Sequence, residues 1–274
     1  MKKPAHEPIH CLVYGFSGSK KTTFAATFPT PIRVNMFDAI GMEGPFLRMA
    51  GAVDVEKGTS ELTGVPLKRI YGKGDELLAE VLFFYDEDPE NAPDAWSLFR
   101  EEQKAFKPEA WATWVGDSIT SMTDAAEFEQ AKINKEFNHF KRMGPVTDQL
   151  SLHLKTRIAR YECNTVLIAH IERKFITQPG MKGAPSTRID KRQESAEEDE
   201  EGSMMMLRGL AAPGRLSRND GLVTQFSEVY RAYVMRNAKG ERIYRLQTEP
   251  DEEWSAKSQI GAPDGVAPDY ALLW

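Results

Sequence analysis

Apolar runs of strand length alternate with amphipathic stretches along most of the chain. Residues 9–14, IHCLVY, are an apolar run ending in a glycine loop, the pattern of a buried strand. TTFAATF (22–28) follows with helix-compatible composition, and Pro29 stops it. IRVNMFD (32–38) predicts a second strand that ends on an acid. Residues 41–74 are rich in glycine and mixed in charge, which predicts loops with one short strand near VPLKRIY. DELLAEVLFFY (75–85) predicts an amphipathic helix capped by Asp75, and LFREEQKAF (98–106) a shorter one. ATWVGDS (112–118) reads as a strand ending in Asp117 and Ser118. A helix is expected over 119–137, then the loop NHFKRMGP, then a helix over 147–162 with Leu150, Leu154 and Ile158 spaced by four. NTVLIAH (164–170) is a strand that ends on His170.

Strands alternating with helices predict an α/β fold: a mostly parallel sheet with helices on both faces. The polar groups at the strand ends, Gly15, Asp38, Asp117 and His170, then share one edge, where ligands bind in open α/β sheets. The pattern changes after His170. Residues 172–192 carry six Lys and Arg against two acids, EEDEE (197–201) is sharply acidic, and residues 204–221 bear Met, Gly and Arg. Order resumes with SEVYRAYVMRNAKGERIYRLQTEP, two strands in an antiparallel C-terminal hairpin around NAKG. The tail, SQIGAPDGVAPDYALLW, holds turn signals and an apolar end. One domain over 1–274 is expected, with a flexible loop insertion at 172–221.

Composition narrows this picture only slightly. The 274 residues are 41% hydrophobic and 28% charged, with a formal net charge of -6. That is ordinary for a soluble globular domain with a sizeable core. The chain is not a polycation, so nucleic-acid contact needs a local basic surface. Cys11 and Cys163 each border an apolar run, and buried thiols in a reducing compartment fit better than a disulfide. The N-terminus has lysines but no apolar stretch long enough for a signal peptide. No apolar run is long enough to span a membrane. A cytoplasmic location is expected.

The chemistry concentrates in GFSGSKKTT (15–23). A phosphate loop, G-x-x-x-x-G-K-[ST], uses glycines so that backbone N–H groups converge on phosphate oxygens, a lysine for charge, and a Ser or Thr for magnesium. Gly15 fits the first position, Lys21 the lysine and Thr22 the magnesium ligand. Ser17, Gly18, Ser19, Lys20 and Thr23 complete the nucleotide-binding set. Lys20 replaces the second glycine, adding charge but also bulk. Asp117 ends a strand like a Walker B acid and would hold Mg2+ together with Thr22; the plain alternative is an acid capping the next helix. His170 is either a structural strand-end histidine or a sensor of the γ-phosphate. The basic stretch 172–192 either binds a nucleic-acid backbone, with Phe175 stacking on a base, or is a solvated loop neutralised by EEDEE. The histidines are scattered and the cysteines lack CxxC spacing, so no metal-ligand cluster is visible. No nucleophile elbow occurs.

GFSGSKKTTFAATFP, WVGDSIT, CNTVLIAHIE, FSEVYRAYV, RLQTEP and AKS, in this order, resemble the phage nucleotide-binding proteins with a RecA-like ATPase core, which include single-strand-annealing recombinases. The resemblance covers about residues 9–258. It implies a RecA-like phosphate-loop core that binds ATP and Mg2+, forms a ring or filament of identical subunits, and acts on single-stranded DNA in recombination or replication, in the host cytoplasm if phage-encoded. Carried over by position, Lys21 and Thr22 are nucleotide ligands, Asp117 is the Walker B acid and His170 the sensor. The loop after His170 corresponds to a DNA-binding loop and supplies Arg173, Lys174, Phe175, Lys182 and Arg188. NHFKRMG (138–144) is a second DNA-loop candidate through Lys141 and Arg142. Lys257 would reach a neighbouring subunit's nucleotide.

Three positions depart from that pattern. Lys20 breaks the loop consensus. Ile40 stands where the family carries a water-activating glutamate, with Glu43 as nearest substitute. Gln259 stands where relatives tend to have arginine. Losing an activating base costs typically about 100- to 10,000-fold, so nucleotide binding with slow hydrolysis is expected. Two other readings stay open. One is a non-enzymatic assembly module with a degenerate loop and a protein partner at DYALLW. The other is a small-molecule kinase whose lid would use Arg208, Arg215 and Arg218.

Overall fold

The structure, a computed structural model, describes residues 7–38, 41–85, 94–136, 138–156, 158–176, 205–210, 222–251 and 254–273; the side chains at 139, 140, 155, 156, 159, 172–176 and 205–210 are not described. In chain order the elements are β1 (His10–Gly15), α1 (Lys21–Ala25), β2 (Ile32–Met36), α2 (Gly44–Leu47), β3 (Asp54–Thr59), β4 (Pro66–Tyr71) and β5 (Leu77–Phe83). Then come α3 (Ala95–Ala105), β6 (Thr113–Asp117), α4 (Ile119–Ile133), α5 (His139–Thr156), β7 (Asn164–Ile176), β8 (Met205–Leu210), β9 (Glu228–Arg236) and β10 (Arg242–Gln247).

Six strands form a parallel core in the order β9-β1-β7-β6-β2-β5. Antiparallel strands flank it: β10 outside β9, and β4 then β3 outside β5. This is the expected mostly parallel α/β sheet with its C-terminal hairpin, here β9–β10. Strands covered on both faces must be apolar throughout, and β1 is: Cys11, Leu12, Val13 and Tyr14 are all buried. Side chains alternate between faces. Leu12 and Tyr14 join Trp96, Phe99, Met122, Leu150 and Leu154 under α3, α4 and α5. Cys11 and Val13 join Phe24, Phe28 and Phe46 under α1 and α2. Both thiols are buried and unbridged.

Several segments differ from expectation. Residues 77–83 are a strand, not a helix. LLAEVLF is hydrogen-bonded between β2 and β4, and a short apolar run has no period that separates the two states. Gly74 and Asp75 both have positive φ, at 74° and 59°, so Asp75 turns the β4–β5 hairpin rather than capping a helix. Residues 41–74 hold two strands, not one. The loop expected at 138–144 is instead the first part of α5, which carries Pro145 in its interior; the proline forgoes one helix hydrogen bond while Val146, Leu150 and Leu154 are buried beside it. Within the stretch expected to be a loop, 172–221, residues 172–176 and 205–210 are strand and pair as an antiparallel ribbon running on from β7; the rest of it lies outside the described residues. The tail packs on its own domain: the Tyr270 ring meets Phe28 in a tilted contact, centroids 4.7 Å apart, and Leu273 is buried. Among the described residues no helix is long and apolar enough to cross a membrane.

Candidate functional site

Strand order brings the four strand-end groups together. Gly15 is in register with His170 on the neighbouring β7, and Met36 with Asp117 on β6. Because β7 lies between β1 and β6, His170 stands between the loop after β1 and Asp117. Asp38 follows β2 and is tied in by the backbone: the Phe37 N–H donates to the Asp117 carbonyl at 2.7 Å. The Phe37 ring is anchored against Phe84 and Phe99, with centroids 5.3 and 5.0 Å away.

The loop lies between β1 and α1, the strand–loop–helix setting expected from the sequence. A Cβ on Gly15 would lie 2.2 Å from the Ala232 carbonyl oxygen of β9, so only glycine fits there. Gly18 has φ 78°. Lys20, in the place of the second glycine, still takes the left-handed conformation, φ 65° and ψ 28°, which costs an L-residue roughly 1–2 kcal/mol. Its ammonium lies 4.0 Å from the centroid of the Tyr244 ring on β10. Thr23 is half-buried on α1, and Ser17 and Gly18 are exposed.

Lys21 is 5% exposed, and its ammonium donates to the Gly15 and Phe16 carbonyls, each at 2.9 Å. Burial pulls its pKa down to about 8, against the opposing charges of Asp117 and Asp38. The Thr22 hydroxyl donates to Asp117 Oδ2 at 2.8 Å. Asp117 is 2% exposed. Burial pushes its pKa up to about 6, and the Asp38 charge adds to this, while the Thr22 hydrogen bond, His170 and Lys21 work the other way. Asp38 goes in the opposite direction. Burial raises its carboxyl, but the nearby His170 imidazole, the Ser121 hydrogen bond and the Lys21 charge outweigh it and hold the group below the ordinary range. The Ser121 hydroxyl of α4 donates to Asp38 Oδ1, and His170 Nε2 is 4.0 Å from Asp38 Oδ2.

Asp38 and Ser121 were absent from the expected site set. Asp38 was legible as a strand-end acid at the right edge; Ser121 carried no signal beyond its helical position. Glu43 is engaged elsewhere. Its carboxylate accepts from the Gly41 N–H at 2.6 Å and pairs with Lys68, so the substitute expected for the activating glutamate has a structural task. Ile40 lies outside the described residues. Lys257 is bridged through its backbone to Val229 of β9, and the Gln259 N–H donates to Glu228. Lys141 and Arg142 stand on α5, where Arg142 pairs with Glu127 at 3.2 Å. Arg173, Lys174 and Phe175 are on the ribbon, opposite Arg208, Leu207 and Met206. Lys182 and Arg188 fall outside the described residues.

This arrangement fits a magnesium nucleotide. The Ser19 hydroxyl is buried with no hydrogen-bond partner among the described residues. Lys21 is a buried cation whose ammonium, among the described residues, bonds only to carbonyls. Asp38 and Asp117 are neighbouring carboxylates of like charge. Among the described residues no cluster of His, Cys, Asp or Glu could hold a metal alone. Mg2+ dehydrates reluctantly and binds through one or two carboxylates plus substrate phosphates, so here it would arrive with them. Fold and site together define a phosphate-loop nucleotide-binding protein. Residues 7–260 match the family model described as an AAA domain, and the chain belongs to that family of phosphate-loop ATPases. No curated protein sequence matches it.

Proposed function

We infer that this chain is an ATP-binding protein of RecA-like type that acts on single-stranded DNA in phage recombination or replication and hydrolyses ATP slowly. Lys21 and the backbone of residues 15–22 would hold the β- and γ-phosphates, and Thr22 with Asp117 would hold Mg2+, which neutralises charge developing on the phosphates. Asp38 is the carboxylate we assign to orienting the attacking water. Ser121 and His170 hold it, and its lowered pKa suits it to accepting a hydrogen bond better than to taking a proton, which agrees with slow turnover. The single observation that carries the DNA assignment is the continuity of β7. The strand that places His170 beside Asp38 runs on without a break into the ribbon bearing Arg173, Lys174 and Phe175. A change at the γ-phosphate would therefore reach the basic ribbon along one strand. Subunit association, with Lys257 near a neighbour's nucleotide, belongs to the same reading.

The test is binding of a labelled oligonucleotide at several salt concentrations, with and without MgATP, for wild type and Arg173→Ala with Lys174→Ala. Salt-sensitive binding that strengthens with MgATP is expected, and its log–log salt slope should flatten by about one per lost phosphate contact. Binding insensitive to both salt and the double substitution would reject the DNA assignment. Turnover at or above roughly one per second, within the ordinary enzyme range, would reject slow hydrolysis. Asp38→Asn should lower phosphate release by about 100-fold or more with MgATP affinity retained.

A further inference from the structure

The β9–β10 hairpin and the chain after it touch the phosphate loop at three points. At the first, Gly15 presses on the Ala232 carbonyl of β9 too closely for any side chain. At the second, the Phe16 ring meets Trp254 edge-on at 6.5 Å, and the Arg231 guanidinium of β9 lies 4.0 Å from the same indole. At the third, the Lys20 ammonium sits over the Tyr244 ring of β10. This last contact falls where the loop most needs support. The residue before Lys21 must turn left-handed to open α1, a conformation glycine takes freely and lysine resists. Lys20 is exposed, so burial does not hold it in place. The contact its side chain makes among the described residues is the one with Tyr244.

The geometry points to Tyr244 as a positioning residue for the phosphate loop. It holds Lys20, and through Lys20 the left-handed turn that sets where Lys21 and Thr22 enter α1. Lys20 is then a tether to the C-terminal hairpin rather than a phosphate ligand, and loop shape is supplied by a distant strand instead of by a glycine. The proposal rests on the loop being a nucleotide site, and it adds a residue that no loop motif contains.

The experiment is a double-mutant cycle on the full chain: wild type, Tyr244→Leu, Lys20→Gly and the pair, with Tyr244→Phe as the ring-preserving control. Two quantities are read, amide hydrogen exchange over residues 16–22 without nucleotide and equilibrium MgATP affinity. In the wild-type background Tyr244→Leu should speed loop exchange and weaken MgATP about two- to fivefold, the range of an exposed cation–π contact. On the Lys20→Gly background the same change should alter neither, and Tyr244→Phe should behave as wild type. Equal effects in both backgrounds would overturn the proposal, because Tyr244 would then act through hairpin packing. Tighter binding in Tyr244→Leu with a loss in Lys20→Gly would also overturn it, since Lys20 would be leaving the ring to hold phosphate. Unchanged exchange in Tyr244→Leu is a third contrary result. If wild type binds no MgATP, the nucleotide assignment fails on its own, and the exchange arm still decides whether Tyr244 holds the loop.

Discussion

Strand β2 has a charge network at each end, and the two are built differently. At its start, Arg33 pairs with Glu80 and, at 2.7 Å, with Glu102. Arg69 takes the other Glu80 oxygen at 2.7 Å, and the remaining Glu102 oxygen accepts the Ser60 and Thr63 hydroxyls. Charges alternate in sign and every carboxylate oxygen is engaged. Past its end, Asp38 and Asp117 stand together with like charge, and the ammonium of Lys21 bonds to carbonyls. Burial is similar at the two ends; neutralisation is not. The first network pairs each acid with a cation, although Arg33 Nε is buried without a hydrogen-bond partner among the described residues; the second leaves a buried cation bonded to carbonyls beside two neighbouring acids, the pattern that points to a ligand site. Cavity size would mislead here. A cleft of about 390 Å³ opens at the scaffold end, lined by Arg33, Phe106, Lys107 and Trp111 among others.

The largest expected effect tests the closed end. Arg33→Leu removes the shared cation from two carboxylates that are 8% and 6% exposed. Breaking a buried pair from one side costs about 3–5 kcal/mol, here towards the lower figure because Arg69, Ser60 and Thr63 remain. Urea unfolding should show that loss, while MgATP affinity of the folded protein stays unchanged. A loss of affinity equal to that of a loop mutant would dissolve the distinction between the two ends.

Lys21→Ala should do the converse. MgATP affinity should fall about 100-fold, or roughly 2.7 kcal/mol, with no loss of stability, because the removed cation is one that burial disfavours. Titration sharpens the contrast further. In the proposed site Mg2+ would be held by the Asp117 carboxylate, whose pKa is raised to about 6, so affinity should fall up to tenfold per unit as pH drops below that value. The Lys21 ammonium titrates at about 8, so affinity should also fall above it, giving a bell for the nucleotide-free protein. Stability runs the other way on the acid side. The fold binds the Asp117 proton more tightly than the unfolded chain does, so the nucleotide-free protein gains stability as pH falls from about 6 towards 4. Burial and the Asp38 charge set that limb, against Thr22, His170 and Lys21, which also face Asp117; Asp117→Asn should abolish it. Calorimetric binding from acid to alkaline pH decides, and a profile flat across the acid limb would contradict the assignment.

The parts of the fold visible in the sequence were those where local pattern and tertiary environment agree. Strands β1 and β7 are buried along CLVY and VLIA, so they are written as continuous apolar runs, and β2 and β6 keep buried apolar residues at Ile32, Val34, Met36, Trp114 and Val115. Residues 77–83 failed because a short run of six apolar residues around Glu80 suits either state; the deciding feature is the left-handed pair Gly74 and Asp75, which marks a hairpin. The loop and Asp117 were legible through their local spacing. The bond between Thr22 and Asp117 then follows from the sheet's register. Asp38 was placed at the correct edge, but its partnership with His170 and Ser121 depends on β7 threading between β1 and β6, and strand order leaves no local trace. The contact between Lys20 and Tyr244 is hidden for the same reason.

The smallest effect is expected at Lys20, and it asks to which end of the comparison the loop's turn belongs. Lys20→Gly relieves the left-handed cost, about 1–2 kcal/mol. Against this, it loses the Tyr244 contact, about 0.5–1 kcal/mol, and adds the entropy that glycine gives the unfolded chain, roughly 0.5–1 kcal/mol. These nearly cancel, so unfolding without nucleotide should shift by less than about 1 kcal/mol. Stabilisation well beyond that would mean that the turn is strained and uncompensated, as the acids beside it are. A destabilisation of similar size would mean that Tyr244 grips Lys20 far more strongly than an exposed ring does, which would place the tether with the closed network that supports the fold.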